Sequence, residues 1–123
     1  MHEASLVQGL LNLVEKTVAD HNAANPEKPV RRVTEVNCQL GLISCVEPRT
    51  LTSCFELFAE ETVARDAKLT LTTAPLPCTC KKCGKGFELT ERKFLCPFCG
   101  DINLQFTGGH GLVLTSLQVD SED

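Results

Sequence analysis

The sequence of 123 residues lacks the features that mark exported, membrane-spanning or nucleic-acid-binding chains. No apolar run approaches the ~20 residues of a membrane-spanning helix. The first residues include neither a basic segment nor a long apolar stretch, so no signal peptide is predicted. The formal net charge of −4 argues against a nucleic-acid partner, which would need a basic face. We therefore expect a cytoplasmic protein with one modest domain, or with a small domain that carries a metal-held insert.

Signatures of catalysis and of nucleotide binding are also missing. The chain contains no Gly-rich phosphate-binding loop. No nucleophile–base pair and no pair of acidic groups suited to acid–base chemistry is evident in the sequence. On these grounds we predict that the protein is not an enzyme.

The sequence does contain eight cysteines, and four of them form two Cys-x-x-Cys pairs separated by twelve residues. Two such turns joined by a short polar hairpin can place four thiolates at the corners of a tetrahedron, which is the geometry of a structural Zn²⁺ site. A chain without an export signal is expected to keep its thiols reduced, so metal ligation is favoured over disulfides or free thiols. The predicted zinc ligands are Cys80, Cys83, Cys96 and Cys99.

Three alternatives stay open at the level of sequence. Cys78 extends the first pair to C-x-C-x-x-C, so either Cys78 or Cys80 could pair with Cys83, although the usual spacing favours Cys80. The C-P-F-C-G turn resembles that of rubredoxin, and four thiolates could hold iron for electron transfer. A zinc ribbon could also be an adaptor for nucleic acid or protein. The acidic charge and the lack of an aromatic-basic face count against nucleic acid.

Hydrophobic periodicity predicts an α+β fold. Apolar residues at steps of three and four indicate one helix over residues 1–22 and another from Pro48 to about Val63. Segments of strand character lie at about 30–40, 67–73 and 111–119. The last strand is too short to stand alone, so we expect it to return to the sheet of the first part. The predicted fold is two helices packed on a small three-stranded sheet, with an inserted zinc-ribbon-like four-cysteine module.

A proline-rich stretch, Pro75-Leu76-Pro77, marks the boundary of this insert. We predict one α+β domain from residues 1–75 and 109–123, and a zinc-binding domain from residues 76–108. The connections between them are short and bear prolines, which makes a homodimer formed by domain swapping conceivable.

A second set of metal ligands occurs at the N-terminus, which reads Met1-His2-Glu3. The Met1 amine, the deprotonated amide nitrogen of His2 and its imidazole can close fused chelate rings on one metal. Square-planar nitrogen coordination of this kind suits Ni(II) or Cu(II). The amide of Glu3, a carboxylate or water would complete the set. By itself a histidine at position 2 is usually a solvated terminus.

Three motifs occur together and in a fixed order: M-H-E-x-S-L-V at the N-terminus, C-Q-L-G-L-I-S-C-V-E-P-x-x-L in the middle, and C-x-x-C followed by C-P-x-C-G near the end. In this combination the chain resembles the HypA/HybF family of hydrogenase nickel-incorporation proteins over essentially its whole length. The resemblance implies a nickel-binding α+β domain that carries a zinc-binding domain. It places the nickel site on Met1, His2 and Glu3, and assigns the zinc to the four cysteines. It adds Glu47 as an acidic residue near the nickel, although Glu47 also lies at the predicted start of the second helix, where a structural role is the alternative.

The resemblance also implies the function and its partners. The protein would be a nickel metallochaperone that delivers Ni(II) to the large-subunit precursor of a [NiFe]-hydrogenase, and the zinc site would be structural. The implied partner is the GTPase HypB, which would supply nucleotide hydrolysis. Some relatives also assist urease maturation.

Overall fold

The computed structural model describes residues 3–120. In this range the chain forms two α-helices, α1 (Glu3–Ala24) and α2 (Pro48–Phe58), and α2 continues into a short 3₁₀ turn (Ala59–Glu61). No helix in the described part of the chain has the length and apolar character that a bilayer crossing demands. The strands of this range are β1 (Arg32–Gly41), β2 (Lys68–Ala74), β3 (Leu76–Cys80), β4 (Gly86–Leu89), β5 (Leu104–Phe106) and β6 (Leu112–Asp120).

The chain divides into two compact units. We call the first the helical unit; it comprises Met1–Cys38, Val46–Leu71 and Leu114–Asp123. The second, the cysteine unit, comprises Gln39–Cys45 and Thr72–Val113. The assignment of nickel to residues 1–75 and 109–123 and of zinc to residues 76–108 concerns function and stays a prediction.

The two helices of the helical unit pack against each other through apolar stripes. On α2 the stripe centres on Leu51 and Phe55, both with no exposed surface. The helix starts where the sequence predicts, because Pro48 suits a first helical position and Glu47 caps the helix with its side chain. The buried residues of α1 recur at steps of three and four, as predicted: Val7, Leu10, Leu11, Val14 and Val18.

The end of α2 differs from the prediction. The helix was expected to reach about Val63, but it ends at Phe58 and gives way to the 3₁₀ turn. Thr62 has extended backbone angles, and its hydroxyl donates to the Ala59 carbonyl (2.7 Å) and accepts from the Ala64 amide (3.0 Å). These local side-chain hydrogen bonds replace helical ones, which is why threonine terminates the helix here.

The first sheet has the strand order β2-β1-β6. The last strand of the chain therefore lies beside β1, which confirms the prediction that it returns to the first sheet. Val36 and Cys38 on β1 are buried, so Cys38 acts as a small hydrophobic residue. The predicted α+β class, with two helices, a three-stranded sheet and a four-cysteine module, is confirmed.

The cysteine unit contains a second sheet that periodicity does not reveal. Its order is β4-β3-β5, and both pairings are antiparallel. Its strands have five, four and three residues, which is too short for a clear alternation pattern. Pro77 also argues against a strand in the sequence, because proline has no amide hydrogen to donate to a neighbouring strand. It is accommodated in the part of β3 that β5 does not reach, since β5 pairs only with Cys78 to Cys80.

The core of the cysteine unit is small. It consists of four buried residues, Leu42, Leu76, Cys78 and Leu89, with Ile43, Phe87, Phe94 and Leu104 packed against them. Leu42 and Ile43 come from the turn after β1, so that turn completes the core of this unit. A core of this size supplies little stability by itself, and small domains of this kind usually need a metal or a disulfide.

The turn after β1 lies directly against the glycine-rich turn before β6. The Gly41 amide donates to the Gly111 carbonyl (2.8 Å), and the Ile43 amide donates to the Gly109 carbonyl (2.9 Å). A Cβ atom at Gly41 would lie 2.3 Å from the carbonyl carbon and oxygen of Gly109. Only glycine permits this backbone approach.

Replacing Gly41 with alanine should therefore destabilise the protein by about 1–3 kcal/mol, because backbone atoms rather than a flexible side chain must move. The matched control is Gly9→Ala in α1, where an added Cβ meets nothing within 4 Å. This control should stabilise the protein by roughly 0.5–1 kcal/mol, since glycine weakens a helix interior. Urea unfolding of the metal-loaded protein measures both. Equal effects of the two substitutions would contradict the close approach at Gly41.

Candidate metal centre

The two Cys-x-x-Cys pairs form turns with the same hydrogen-bond pattern. In the first turn the Gly84 amide donates to the Cys80 carbonyl (2.9 Å), and the Cys80 amide donates to the Lys85 carbonyl (3.0 Å). Gly84 has φ +78°, a left-handed conformation that favours glycine. The second turn repeats both bonds, at 2.8 and 2.9 Å, with Cys96, Gly100 and Asp101. The sequence therefore builds two copies of one local structure that present their thiols in the same way.

The four sulfur atoms of these turns come together. All of them lie within 4.8 Å of one another, with 3.6 Å between Cys80 and Cys99 and 3.7 Å between Cys83 and Cys96. These separations exceed the ~2.05 Å of a disulfide bond, and all eight cysteines are free thiols. A tetrahedral metal with bonds of about 2.3 Å to sulfur would separate its ligands by about 3.8 Å. The four thiols thus fit a tetrahedral metal-binding cluster.

Backbone amides point at two of the sulfurs. The Cys83 amide donates to the Cys80 sulfur and the Phe98 amide to the Cys96 sulfur, each at 3.4 Å. The Cys83 amide holds the pKa of the Cys80 thiol below its usual value. Burial acts to raise the pKa of the Cys96 thiol, but the amides of Cys99 and Phe98 bring it down to about 7. These amides stabilise the thiolate forms of Cys80 and Cys96, and the thiolate is the form that binds a metal.

Cys99 shows the opposite shift. The Asp101 amide acts to lower the pKa of its thiol, but burial and the neighbouring thiols of Cys80, Cys96 and Cys83 raise it to about 12. Negative charge on the adjacent sulfurs opposes the loss of this proton. All four groups can become thiolates together only when a cation neutralises them.

The structure also separates Cys78 from the cluster. Its side chain is buried in the small core beside Leu76 and Leu89, and its thiol donates to the Leu76 carbonyl at 3.5 Å. Burial raises the pKa of this thiol. The ambiguity of the C-x-C-x-x-C pattern is thus resolved geometrically, because Cys80, at the end of β3, is the thiol that reaches the other three.

The residues predicted for nickel lie partly within the described chain. Met1 and His2 fall outside the described residues 3–120. Glu3 is the first residue of α1, and its Oε2 atom accepts from the Glu47 amide at 3.3 Å. The structure therefore brings together Glu3 and Glu47, which are 44 positions apart.

The Glu47 side chain also caps a helix. Its Oε1 atom accepts from the amides of Arg49 and Thr50 at 2.9 and 3.2 Å, which caps the start of α2. The two histidines in the described range, His21 and His110, have exposed side chains.

Arg92 is a structural residue that sequence patterns do not single out. Its guanidinium donates to the Leu42 carbonyl (2.8 Å) and to the Ser44 carbonyl. The loop before Cys96 is thereby fastened to the turn after β1 within the cysteine unit. In the sequence Arg92 is one of several basic residues, and no local pattern distinguishes it from the lysines around it.

The fold and the cluster define a small α+β protein with a four-cysteine metal-binding site. Residues 1–119 match the family model described as "Hydrogenase/urease nickel incorporation, metallochaperone, hypA". The chain belongs to this HypA family.

Individual relatives agree with the family match. The chain is 39% identical over 120 residues to the hydrogenase maturation factor HypA of Aquifex aeolicus (strain VF5), with 98% of each chain covered. It is 37% identical over 123 residues to that of Shewanella sp. (strain MR-7), covering 100% of this chain and 98% of the relative. Its fold is similar to the solution structure of the Ni metallochaperone HypA from Helicobacter pylori, with a TM-score of 0.64, 28% identity and coverage of 99% and 100%.

Substitution of Cys80 and Cys78 by alanine tests the assignment of ligands. Cys80→Ala removes one of the four converging sulfurs, so the variant should lose the intense sulfur-to-metal absorption of a Co²⁺-loaded tetrathiolate. Cys78→Ala should keep this absorption with one Co²⁺ per chain. It should lose about 1–2 kcal/mol of stability instead, because a buried side chain is shortened. The assignment is wrong if Cys78→Ala abolishes the spectrum and Cys80→Ala preserves it.

Proposed function

We propose that this protein binds Ni(II) at its N-terminus, through Met1, His2 and Glu3, and delivers it to the large-subunit precursor of a [NiFe]-hydrogenase. The observation that carries the proposal is the family match over residues 1–119, because the family is described by nickel incorporation and by the term metallochaperone. The named relatives are hydrogenase maturation factors, and the similar solution structure is titled a Ni metallochaperone.

The chemistry of the first residues supports nickel as the cargo. An amine, a backbone amide nitrogen and an imidazole are the nitrogen ligands that square-planar Ni(II) prefers. The Glu3 side chain follows directly in the sequence, and its hydrogen bond to the Glu47 amide brings a second acidic residue alongside. The negative charge of these carboxylates favours a dication at this end of the chain. A small terminal site of this kind also suits an ion that must be released.

The four-cysteine cluster supports a structural role for the second metal. We propose that it holds Zn²⁺ through Cys80, Cys83, Cys96 and Cys99, because four protein thiolates leave no open coordination position for exchange. Zinc would hold the two turns of the cysteine unit together. Metal analysis distinguishes this assignment from a rubredoxin-like iron site, since the iron protein would be red and the zinc protein colourless.

The proposed partners follow from the chemistry that the chain lacks in its own sequence. No Gly-rich phosphate-binding loop is present, so nucleotide hydrolysis would come from a separate GTPase, for which we propose HypB. We propose the hydrogenase precursor as the acceptor and the cytoplasm as the compartment. Whether a homodimer takes part is answered by measuring the mass of the protein in solution with and without nickel.

Nickel titration calorimetry on the zinc-loaded protein tests the terminal site. The authentic chain should bind about one Ni(II), whereas His2→Ala and a variant with one residue added before Met1 should both lose this binding. The added residue is the sharper control, because it leaves every side chain in place and only displaces the terminal amine. If all three proteins bind nickel alike, the metal is held elsewhere and the terminal site is wrong.

A substitution at Glu47 tests the effect of its charge on nickel binding separately from its role as a helix cap. Glu47→Gln keeps an oxygen that accepts from the Arg49 and Thr50 amides but removes the negative charge. We expect a change in stability of less than about 1 kcal/mol and a loss of nickel affinity of several-fold, on the order of 1 kcal/mol. Unfolding in urea and nickel calorimetry measure the two effects. Unchanged nickel affinity would mean that Glu47 serves only as a cap.

A further inference from the structure

The cysteine unit carries an unusual share of the exposed apolar side chains. Of the eight large hydrophobic residues found exposed in residues 3–120, four lie in the short stretch that surrounds the second Cys-x-x-Cys turn. The most accessible are Ile102, which is 75% exposed, and Phe98, which is 57% exposed. Exposed apolar side chains so close together in sequence make this stretch a candidate interaction surface.

A lysine covers the more exposed of the two aromatic rings, Phe98. The Lys85 ammonium lies 4.7 Å from the centre of the Phe98 ring, and the ring of Phe87 meets Phe98 edge-on at 6.4 Å. The Lys81 amide donates to the Asn103 carbonyl at 2.9 Å, which places the first turn beside the residue that follows Ile102. We use the name knuckle face for the exposed residues Lys81, Lys82, Lys85, Phe98 and Ile102.

The knuckle face corrects one expectation from the sequence, which found no aromatic-basic face. The lysine and the aromatic ring come from different Cys-x-x-Cys turns, so their contact arises only when the four thiols converge. The Lys85 ammonium lies over the exposed Phe98 ring, and the amides of Cys83 and Phe98 donate to sulfur.

The charge distribution favours an acidic ligand at this surface. Apart from its thiols, the cysteine unit contains five basic and three acidic residues, whereas the remainder of the chain accounts for −6 of the total of −4; four thiolates that hold one Zn²⁺ would add −2 to the unit and leave it close to neutral. Asp101 is the carboxylate nearest in sequence to the exposed ring of Phe98, and it accepts from the Asn103 amide at 3.3 Å. The knuckle face itself includes three lysines and no carboxylate, so it is a locally basic area on an acidic protein.

We propose that the knuckle face binds an acidic segment of a partner protein that carries an apolar side chain. The apolar side chain would pack on Phe98 and Ile102, and the flanking carboxylates would pair with Lys81, Lys82 and Lys85. This inference goes beyond the proposed nickel function, because it involves none of the nickel residues and holds whether or not nickel is bound. A nucleic acid fits less well, because Lys85 already covers one side of the ring on which a base would stack.

A labelled peptide of sequence Glu-Asp-Leu-Phe-Asp-Glu tests the proposal on the full, zinc-loaded chain. Fluorescence anisotropy should show binding that weakens as the salt concentration rises, because charge pairs contribute. Phe98→Ser should weaken it by about tenfold or more, as expected for an aromatic residue at the centre of an interface. Lys85→Ser should weaken binding and reduce its salt dependence. Both substitutions keep the backbone amide and carbonyl that the turns use.

Matched controls distinguish binding at this site from non-specific apolar association. Leu57→Ser removes a side chain that is 65% exposed in the helical unit and should leave peptide binding unchanged. A peptide with serine in place of leucine and phenylalanine should bind at least about tenfold more weakly. The Co²⁺ spectrum of each variant verifies that the four-cysteine cluster is intact.

Three results would overturn the proposal. The first is no peptide binding at concentrations on the order of 1 mM. The second is an equal loss of binding in Leu57→Ser and Phe98→Ser, which would indicate non-specific apolar association. The third is a single-stranded oligonucleotide that binds more tightly than the peptide and loses its affinity in Phe98→Ser, which would make the knuckle face a nucleic-acid site.

Discussion

Four sulfur atoms within 4.8 Å of one another impose the strongest constraint on this protein. They cannot all carry negative charge without a cation, and the raised pKa of Cys99 reflects that conflict. The cysteine unit has only a small apolar core. A metal that neutralises the thiolates would therefore contribute much of the folding stability of this unit. The contact between Lys85 and Phe98 on the knuckle face depends on the convergence of the two turns.

A structural metal site and a transport site have opposite requirements, and in the proposed function different residues of the chain would meet them. A structural metal needs a closed set of ligands on well-fastened turns, which the paired glycine turns and their amide–carbonyl bonds provide. A transported metal needs a site that opens easily. In the proposed function that site lies at the chain terminus, where few ligands have to move.

The segment from Gly41 to Glu47 serves several structural purposes at once. Gly41 permits close contact with the turn at Gly109, and Leu42 enters the core of the cysteine unit. The carbonyls of Leu42 and Ser44 receive the Arg92 guanidinium, and Glu47 caps α2 while its amide binds Glu3. A short stretch with so many fixed backbone positions tolerates few substitutions, which is a physical reason for its distinctive motif.

The sequence by itself determined the features that rest on local patterns. The apolar stripe of α1, the start of α2 at Pro48 and the four-cysteine cluster follow from period, capping and spacing, each of which acts within a few residues. The tertiary structure alone decided the features that depend on distant neighbours. It buried Cys78 in the small core, paired the short strands around Pro77, and joined Glu3 to Glu47 and Lys85 to Phe98. These contacts arise from packing between segments far apart in the chain, and no local propensity encodes them.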